Sequence, residues 1–130
     1  MNKSKEDLIL FRLQKAAESI ELARFSISRK FWNAAASELY YTCFYNVLAL
    51  FAKYDINTST HAGVNTVFGL QFIKEGKLEA KWGRLIRVLF DMRQKSDYGD
   101  FMILTEGEVL PFIEEVLEFE KIIRRLLQEE

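Results

Sequence analysis

The chain has 130 residues, of which 49% are apolar and 28% are charged. This balance excludes a disordered chain and indicates one globular domain, residues 1–130, with a hydrophobic core. The formal net charge of −1 argues against a broad basic surface for nucleic acid, and the six glycines and one proline are too few for a β-rich fold, so an all-α fold is expected.

The first helix is predicted over about residues 5–28. Ser4 and Asp7 have the spacing of a capping box at its start. Apolar residues then recur at alternating steps of four and three, as in a helix that lies along a partner helix: Ile9, Leu13, Ala16, Ile20, Ala23 and Ile27. No signal peptide is expected, because residues 1–7 are polar and no uninterrupted apolar segment with a cleavage site follows, and the chain is predicted to be cytoplasmic.

A second helix is predicted over about residues 33–54, with Asn33 as its N-cap. Its apolar and aromatic side chains occur on nearly every face, and such a helix must be surrounded by other elements. It is too polar to span a membrane, since Glu38 and Asn46 would lie at bilayer depth. Cys43, the only cysteine, has no second cysteine to pair with and is expected to be a buried thiol. We predict that this is the central helix of a bundle.

Two more helices are predicted over about residues 62–74 and 78–96. Thr60 or Ser59 can cap the third helix, and Gly76 can end it. The fourth helix carries one apolar face, and Tyr98-Gly99-Asp100 breaks it.

The last helix is predicted to run from about Thr105 to about residue 128. Thr105 and Glu108 fit a capping box, but Pro111 removes a ladder hydrogen bond, so the helix either bends there or begins a turn later. About five helices with short connections predict an up-and-down bundle in which neighbours are antiparallel.

Candidates for chemistry are few. His61 is the only histidine and follows hydroxyl residues at a predicted helix start. A lone histidine without a cluster of Cys, Asp or Glu at ligand spacing predicts no metal site, so a capping or hydrogen-bonding role is expected for His61. No glycine-rich phosphate loop is present, and no cofactor is expected.

The segment from Arg84 to Asp100 is the most suggestive of a site. Arg93 and Asp97 are four residues apart and therefore share a helix face, and Tyr98 follows near the helix end. An arginine with a nearby tyrosine can hold a phosphate and stack a base. The alternative is an intrahelical ion pair beside a packed tyrosine.

Three short patterns follow one another along the chain. The first is a Tyr-Tyr-x-x-Phe pattern in the second helix, at Tyr40, Tyr41 and Phe44. The second is a Thr-His-x-Gly pattern before the third helix, at Thr60, His61 and Gly63. The third is an Arg-x-x-x-Asp-Tyr pattern on the fourth helix, at Arg93, Asp97 and Tyr98. In this order the three patterns resemble those of HEPN (higher eukaryotes and prokaryotes nucleotide-binding) domains of the small prokaryotic branch.

The resemblance implies a helical bundle that usually pairs with itself and is often encoded beside a minimal nucleotidyltransferase. Many HEPN proteins are metal-independent endoribonucleases of toxin–antitoxin or defence systems, whose motif is an Arg followed four to six residues on by a His. Arg93 matches the Arg, whereas Asp97 and Tyr98 stand where the His is expected. The imidazole that would transfer protons is then missing. Glu38 also occupies a position where this branch often has an Arg.

The leading hypothesis is a HEPN-like component of a toxin–antitoxin or defence-type system. It would be a homodimer that binds a nucleotidyltransferase partner, RNA or a nucleotide. Arg93 would contact phosphate, Tyr98 would stack or hydrogen-bond, and Asp97 would orient Arg93. One alternative is an endoribonuclease without the motif His, in which Asp97 or Tyr98 transfers the proton. Another is a non-catalytic interaction module in which the Arg–Asp pair is structural.

Overall fold

The computed structural model describes residues 4–58 and 60–129. Within these ranges the secondary structure is helical, with the bounds α1 Lys5–Ser28, α2 Trp32–Lys53, α3 His61–Phe68, α4 Ala80–Tyr98, α5 Glu106–Val109 and α6 Phe112–Gln128. A π-helical turn, Gly69–Ile73, continues α3. The five predicted helices correspond to α1, α2, α3 with its π-helical turn, α4, and α5 together with α6. The predicted all-α bundle is confirmed.

The second helix is the centre of the bundle, as predicted. It is in contact with α1, α4 and α6 and also with the short helices α3 and α5. Fourteen of its 22 residues are buried, and Cys43 is a free thiol among them. Large side chains from the surrounding helices complete the core, including Phe68, Trp82, Leu89, Phe119 and Ile123. None of the described helices is both long enough and apolar enough to cross a membrane.

A polar pair within the core joins α2 to α6. The Nδ2 of Asn46 donates to the Oε2 of Glu120 at 3.0 Å, and both side chains are buried. Burial raises the pKa of Glu120, and the hydrogen bond from Asn46 acts in the opposite direction. The Oδ1 of Asn46 has no hydrogen-bond partner in the described part of the chain. This pair is therefore an incompletely satisfied polar contact in an apolar environment.

The predicted helix starts are largely confirmed. The hydroxyl of Ser4 accepts a hydrogen bond from the backbone N–H of Asp7 at 3.0 Å, and the carboxylate of Asp7 accepts one from the N–H of Ser4 at 3.3 Å. Thr60 caps α3, whereas the alternative cap, Ser59, lies outside the described residues. Each cap satisfies backbone donors that have no partner within the helix.

The prediction that Asn33 caps the second helix is wrong. The helix begins at Trp32, after Phe31, which makes no side-chain cap. Asn33 instead binds two backbone groups of the connector between α4 and α5, residues 99–105. Its Nδ2 donates to the carbonyl of Met102 at 2.9 Å, and its Oδ1 accepts from the N–H of Leu104 at 2.8 Å. One side chain therefore attaches the connector to the start of α2.

Pro111 divides the last predicted helix. The carboxylate of Glu108 accepts hydrogen bonds from the N–H and the hydroxyl of Thr105, and the short helix α5 ends at Val109. Pro111 keeps helical backbone angles, φ −60° and ψ −21°, but cannot donate a ladder bond, and α6 begins at the next residue. The capping box at Thr105 and the interruption at Pro111 are therefore both present.

The fourth helix also extends two residues beyond its predicted end, so it includes Asp97 and Tyr98.

Candidate functional site

Side chains from three helices meet near the middle of α2. The hydroxyl of Tyr40 and the Nδ1 of His61 are 2.8 Å apart, which is hydrogen-bond distance. The guanidinium of Arg93 lies over the rings of Tyr40 and Tyr41, at 5.7 Å and 5.2 Å from their centroids. We call Tyr40, Tyr41, His61 and Arg93 the Arg93 cluster. The cluster brings together the Tyr-Tyr, Thr-His-x-Gly and Arg elements of the sequence.

The start of α3 positions His61. The hydroxyl of Thr60 accepts a hydrogen bond from the N–H of Gly63 at 3.0 Å. A Cβ atom on Gly63 would lie 2.5 Å from the Oγ1 of Thr58 and 2.7 Å from the Oγ1 of Thr60, closer than van der Waals contact allows. An alanine here would force both hydroxyl groups to shift. The Thr-His-x-Gly element is therefore a compact helix start that holds His61 in the first turn.

The imidazole of His61 is half-buried among aromatic rings, of which Phe44 is 4.6 Å away between centroids. Burial lowers the pKa of His61, and the positive charge of Arg93 lowers it further. Burial also raises the pKa of Tyr40, so its hydroxyl stays protonated and can donate to Nδ1 of His61. In that arrangement the imidazole is neutral and carries its proton on Nε2.

Arg93 is withdrawn from solvent. Its side chain is only 12% exposed, and its Nε lies 3.4 Å from the Oδ2 of Asp97, one turn further along α4. This Nε has no hydrogen-bond partner among the described residues. The two tyrosine rings stabilise the cation through their faces, but they do not accept hydrogen bonds from its N–H groups, which point outward in the plane of the guanidinium. A guanidinium with such unused donors can bind a phosphate or carboxylate oxygen strongly.

A family model described as HEPN domain matches residues 9–126 of the chain. The chain belongs to the HEPN domain family. A "UPF0332 protein" of Thermotoga maritima is 28% identical to it over 125 residues, which are 96% of this chain and 95% of that protein. Two proteins of Methanocaldococcus jannaschii, each named "Putative toxin", are also similar. One is 32% identical over 129 residues, covering 99% of this chain and 96% of the relative, and the other is 34% identical over 86 residues, covering 66% and 58%.

The predicted site of this HEPN domain is only partly assembled by the fold. Arg93 and Asp97 form the expected i, i+4 ion pair. Tyr98, by contrast, is 77% exposed at the end of α4 and lies outside the Arg93 cluster. In the connector that follows, Phe101 is fully exposed and Ile103 is 80% exposed. Tyr98 and the connector that follows it therefore expose these three large side chains to solvent.

Sequence reasoning missed that His61 and Tyr40 belong with Arg93. It assigned both residues to structural motifs, because nothing in the order of residues places the start of α3 beside the fourth helix of the HEPN domain. The available signal was chemical, since Tyr40 is a polar aromatic residue in an apolar helix and needs a partner for its hydroxyl. No group of three or more His, Cys, Asp or Glu side chains that could hold a metal occurs in the described residues.

Proposed function

We propose that this HEPN domain is the RNA-binding component of a toxin–antitoxin-type system, that it acts as a homodimer, and that it holds an RNA phosphate at Arg93. The main support is the state of Arg93, whose side chain is 12% exposed and whose Nε lacks a hydrogen-bonded acceptor. A largely buried cation whose ion pair with Asp97 lacks hydrogen-bond geometry favours a further anionic ligand. The names of two relatives, which describe toxins, support the biological context.

The other residues have distinct roles in this proposal. Asp97 orients the guanidinium through its ion pair, and Tyr41 supports the guanidinium from one face. Tyr98 is exposed enough to stack on an RNA base. Because the chain has a net charge of −1, the contact would be local and would involve few phosphates.

Binding of a short single-stranded RNA, measured by fluorescence anisotropy, tests this proposal. We expect Arg93→Ala to weaken binding by about ten- to a hundredfold, which corresponds to a charge-assisted hydrogen bond of about 1.5–3 kcal/mol. The slope of log affinity against log salt should fall by about 0.7, the value for one lost phosphate contact. Arg87→Ala is the matched control, because Arg87 is an exposed arginine on the same helix.

Two outcomes would contradict the proposal. Equal losses in Arg93→Ala and Arg87→Ala would indicate unspecific attraction to positive charge. A lower melting temperature in Arg93→Ala with unchanged RNA affinity would indicate that Arg93 is a structural residue of an interaction module. Thermal unfolding of both variants therefore accompanies the binding measurement.

RNA cleavage is a second candidate, favoured by the position of His61 beside Arg93. The ribose 2′-hydroxyl would attack the adjacent phosphorus, the 5′-oxygen would leave, and a 2′,3′-cyclic phosphate would remain. Arg93 would stabilise the charge that develops on the phosphate. His61, rather than Asp97 or Tyr98, would accept the proton of the 2′-hydroxyl, and water would protonate the leaving 5′-oxygen. For this the Tyr40–His61 hydrogen bond would take its other tautomer, in which Nδ1 donates to the Tyr40 oxygen and Nε2 of the neutral imidazole is free to accept.

Incubation of mixed RNA with wild type, His61→Gln and Asp97→Asn separates these assignments. We expect cyclic-phosphate products from wild type and Asp97→Asn and none from His61→Gln. Cleavage that survives in His61→Gln at the wild-type rate would remove His61 from the reaction. Absence of cleavage in all three would leave RNA binding as the function.

We further propose that the connector binds the small nucleotidyltransferase that the HEPN resemblance implies. Phe101 and Ile103, two residues apart in the chain, are largely exposed, and exposed apolar side chains in one short segment favour a protein contact. Phe101 also has a φ of 61°, which is strained for a residue with a side chain. If a neighbouring reading frame encodes such a partner, its product should co-purify with wild type. It should be lost with the double variant Phe101→Ser/Ile103→Ser, and its retention would exclude this surface.

A further inference from the structure

The first helix carries a second apolar stripe that no other part of the described chain covers. One side of α1 packs against α2 through the predicted seam, whose Ala16 and Ala23 are fully buried. On another side, four large apolar side chains are exposed by 39%, 56%, 44% and 58%, namely Leu8, Phe11, Leu22 and Phe25. Apolar side chains aligned on one surface indicate an interaction site rather than isolated exposed residues.

The stripe has the spacing of a coiled-coil seam. Exposed Lys15 and Glu18 occupy its centre, so its six positions, 8, 11, 15, 18, 22 and 25, follow one another at alternating steps of three and four. This is the a/d pattern of a heptad repeat, which pairs one helix with another. With a rise of 1.5 Å per residue the stripe is about 26 Å long. The pattern therefore predicts a helix as the occupant of the stripe.

The order of residues in the stripe indicates which helix this is. In either chain direction the stripe has two apolar residues, two charged residues and two apolar residues. Reversing the direction exchanges the positions of Lys15 and Glu18. Two copies of α1 packed antiparallel about a two-fold axis between Ala16 and Ala17 would thus be complementary at every position. Three kinds of opposed pair would form across the axis, each twice: Leu8–Phe25, Phe11–Leu22 and Lys15–Glu18.

We propose that this face of α1 is the homodimer interface and that its occupant is α1 of a second copy in the antiparallel orientation. The charges support this choice, because a parallel pair would place Lys15 against Lys15 and Glu18 against Glu18. Like charges in direct opposition are destabilising, whereas the antiparallel pair forms two ion pairs at its centre. The inference rests on the self-association included in the proposed function but is independent of RNA binding.

The same interface would border the Arg93 cluster. A groove between α1 and α2 is lined by three residues of the stripe, Lys15, Glu18 and Leu22, and by Glu38, Tyr41 and Tyr45 of α2. Tyr41 is also the ring nearest to the guanidinium of Arg93. The second copy of α1 would therefore lie along the edge of each cluster.

The test is a charge exchange measured by sedimentation equilibrium of the full chain over a range of concentrations. Wild type should have twice the mass of one chain. K15E and E18K should each weaken dimerisation by at least about tenfold, because each places like charges in both central pairs. The double variant K15E/E18K should restore the dimer, and an equimolar mixture of K15E and E18K should form heterodimers. Arg84→Glu, on α4, is the control for a charge change outside the stripe.

Each other outcome overturns the inference in a distinct way. A monomeric wild type would exclude both this interface and the self-association in the proposed function. A dimer that resists K15E and E18K would place the interface elsewhere and leave the homodimer intact. Failure of the double variant to recover would exclude the antiparallel pairing. Circular dichroism of each variant verifies that the helices are retained, and RNA affinity of Arg93→Ala is a separate measurement.

Discussion

Replacement of Gly63 by alanine tests how closely the start of α3 is packed. The added Cβ would approach the hydroxyl oxygens of Thr58 and Thr60 to 2.5 Å and 2.7 Å. Thr58 can rotate its side chain, but Thr60 can move only by giving up its hydrogen bond with the N–H of Gly63. The new methyl group of the substitution therefore competes for space with the Thr60 hydroxyl that caps α3.

The size of the effect follows from three contributions. Loss of the Thr60 cap costs about 0.5–2 kcal/mol, and crowding in a packed site costs about 1–3 kcal/mol. The lower entropy of the unfolded alanine chain offsets at most about 1 kcal/mol. We expect Gly63→Ala to reduce the free energy of unfolding by about 2 kcal/mol. For a chain of this size that lowers the melting temperature by about 8 °C.

Gly69→Ala is the matched control, because Gly69 lies at the end of the same helix with φ −61° and nothing within 4 Å of an added Cβ. It should raise the melting temperature by about 2–4 °C through the unfolded-state entropy alone. Thermal unfolding followed by circular dichroism measures both variants. If Gly63→Ala were as stable as Gly69→Ala, the contact of Gly63 with the two hydroxyl groups, and with it our account of how His61 is positioned, would be refuted.

Three further predictions concern the core, the connector and the cluster. Glu120→Gln should be more stable than wild type by about 1 kcal/mol at pH 8, since a neutral amide is not penalised by burial and can also donate to Asn46. Because burial raises the pKa of Glu120, the free energy of unfolding of the wild type falls as pH rises through that pKa and the carboxyl group ionises. The difference in melting temperature between Glu120→Gln and wild type should therefore shrink towards pH 5. Asn33→Ala should lose two hydrogen bonds, about 2 kcal/mol, and increase hydrogen exchange at the amides of the connector. The imidazole of His61, the only histidine, should titrate in NMR below its usual pKa of 6.5, and Arg93→Ala should move this pKa upwards.

Each of these has a control. A difference between Glu120→Gln and wild type that is constant with pH would contradict a protonation effect. Asn33→Asp keeps the acceptor for one of the two bonds and should lie between wild type and Asn33→Ala. An unchanged His61 pKa in Arg93→Ala would mean that the guanidinium and the imidazole do not interact.

Much of the fold could be predicted from the sequence because it depends on residues close together in the chain. The caps at Ser4, Thr60 and Thr105 each join residues three apart, and the central role of α2 follows from its composition alone. The prediction for Asn33 failed although the residue type was suitable for a cap. Its amide found two backbone groups on the connector, and only the packing of α4 against α2 brings those groups within reach.

The candidate site was less accessible to sequence reasoning for the same reason. The pair Arg93 and Asp97 could be predicted because four residues make one helical turn. The contact of Tyr40 with both His61 and Arg93 depends on how three helices pack, and spacing along the chain carries no information about that. Tyr98 shows the reverse case, since it is adjacent to Asp97 in sequence but is directed largely into solvent.

The Asn33 amide has a mechanical consequence. It links the beginning of α2 to backbone groups 69 and 71 residues further along the chain, just beyond the end of the helix that carries Arg93. A pull on the connector is therefore transmitted to α2, because separation of the two would leave an amide and two peptide groups without partners. At this end of the bundle, a force applied to the exposed connector therefore acts directly on the central helix α2.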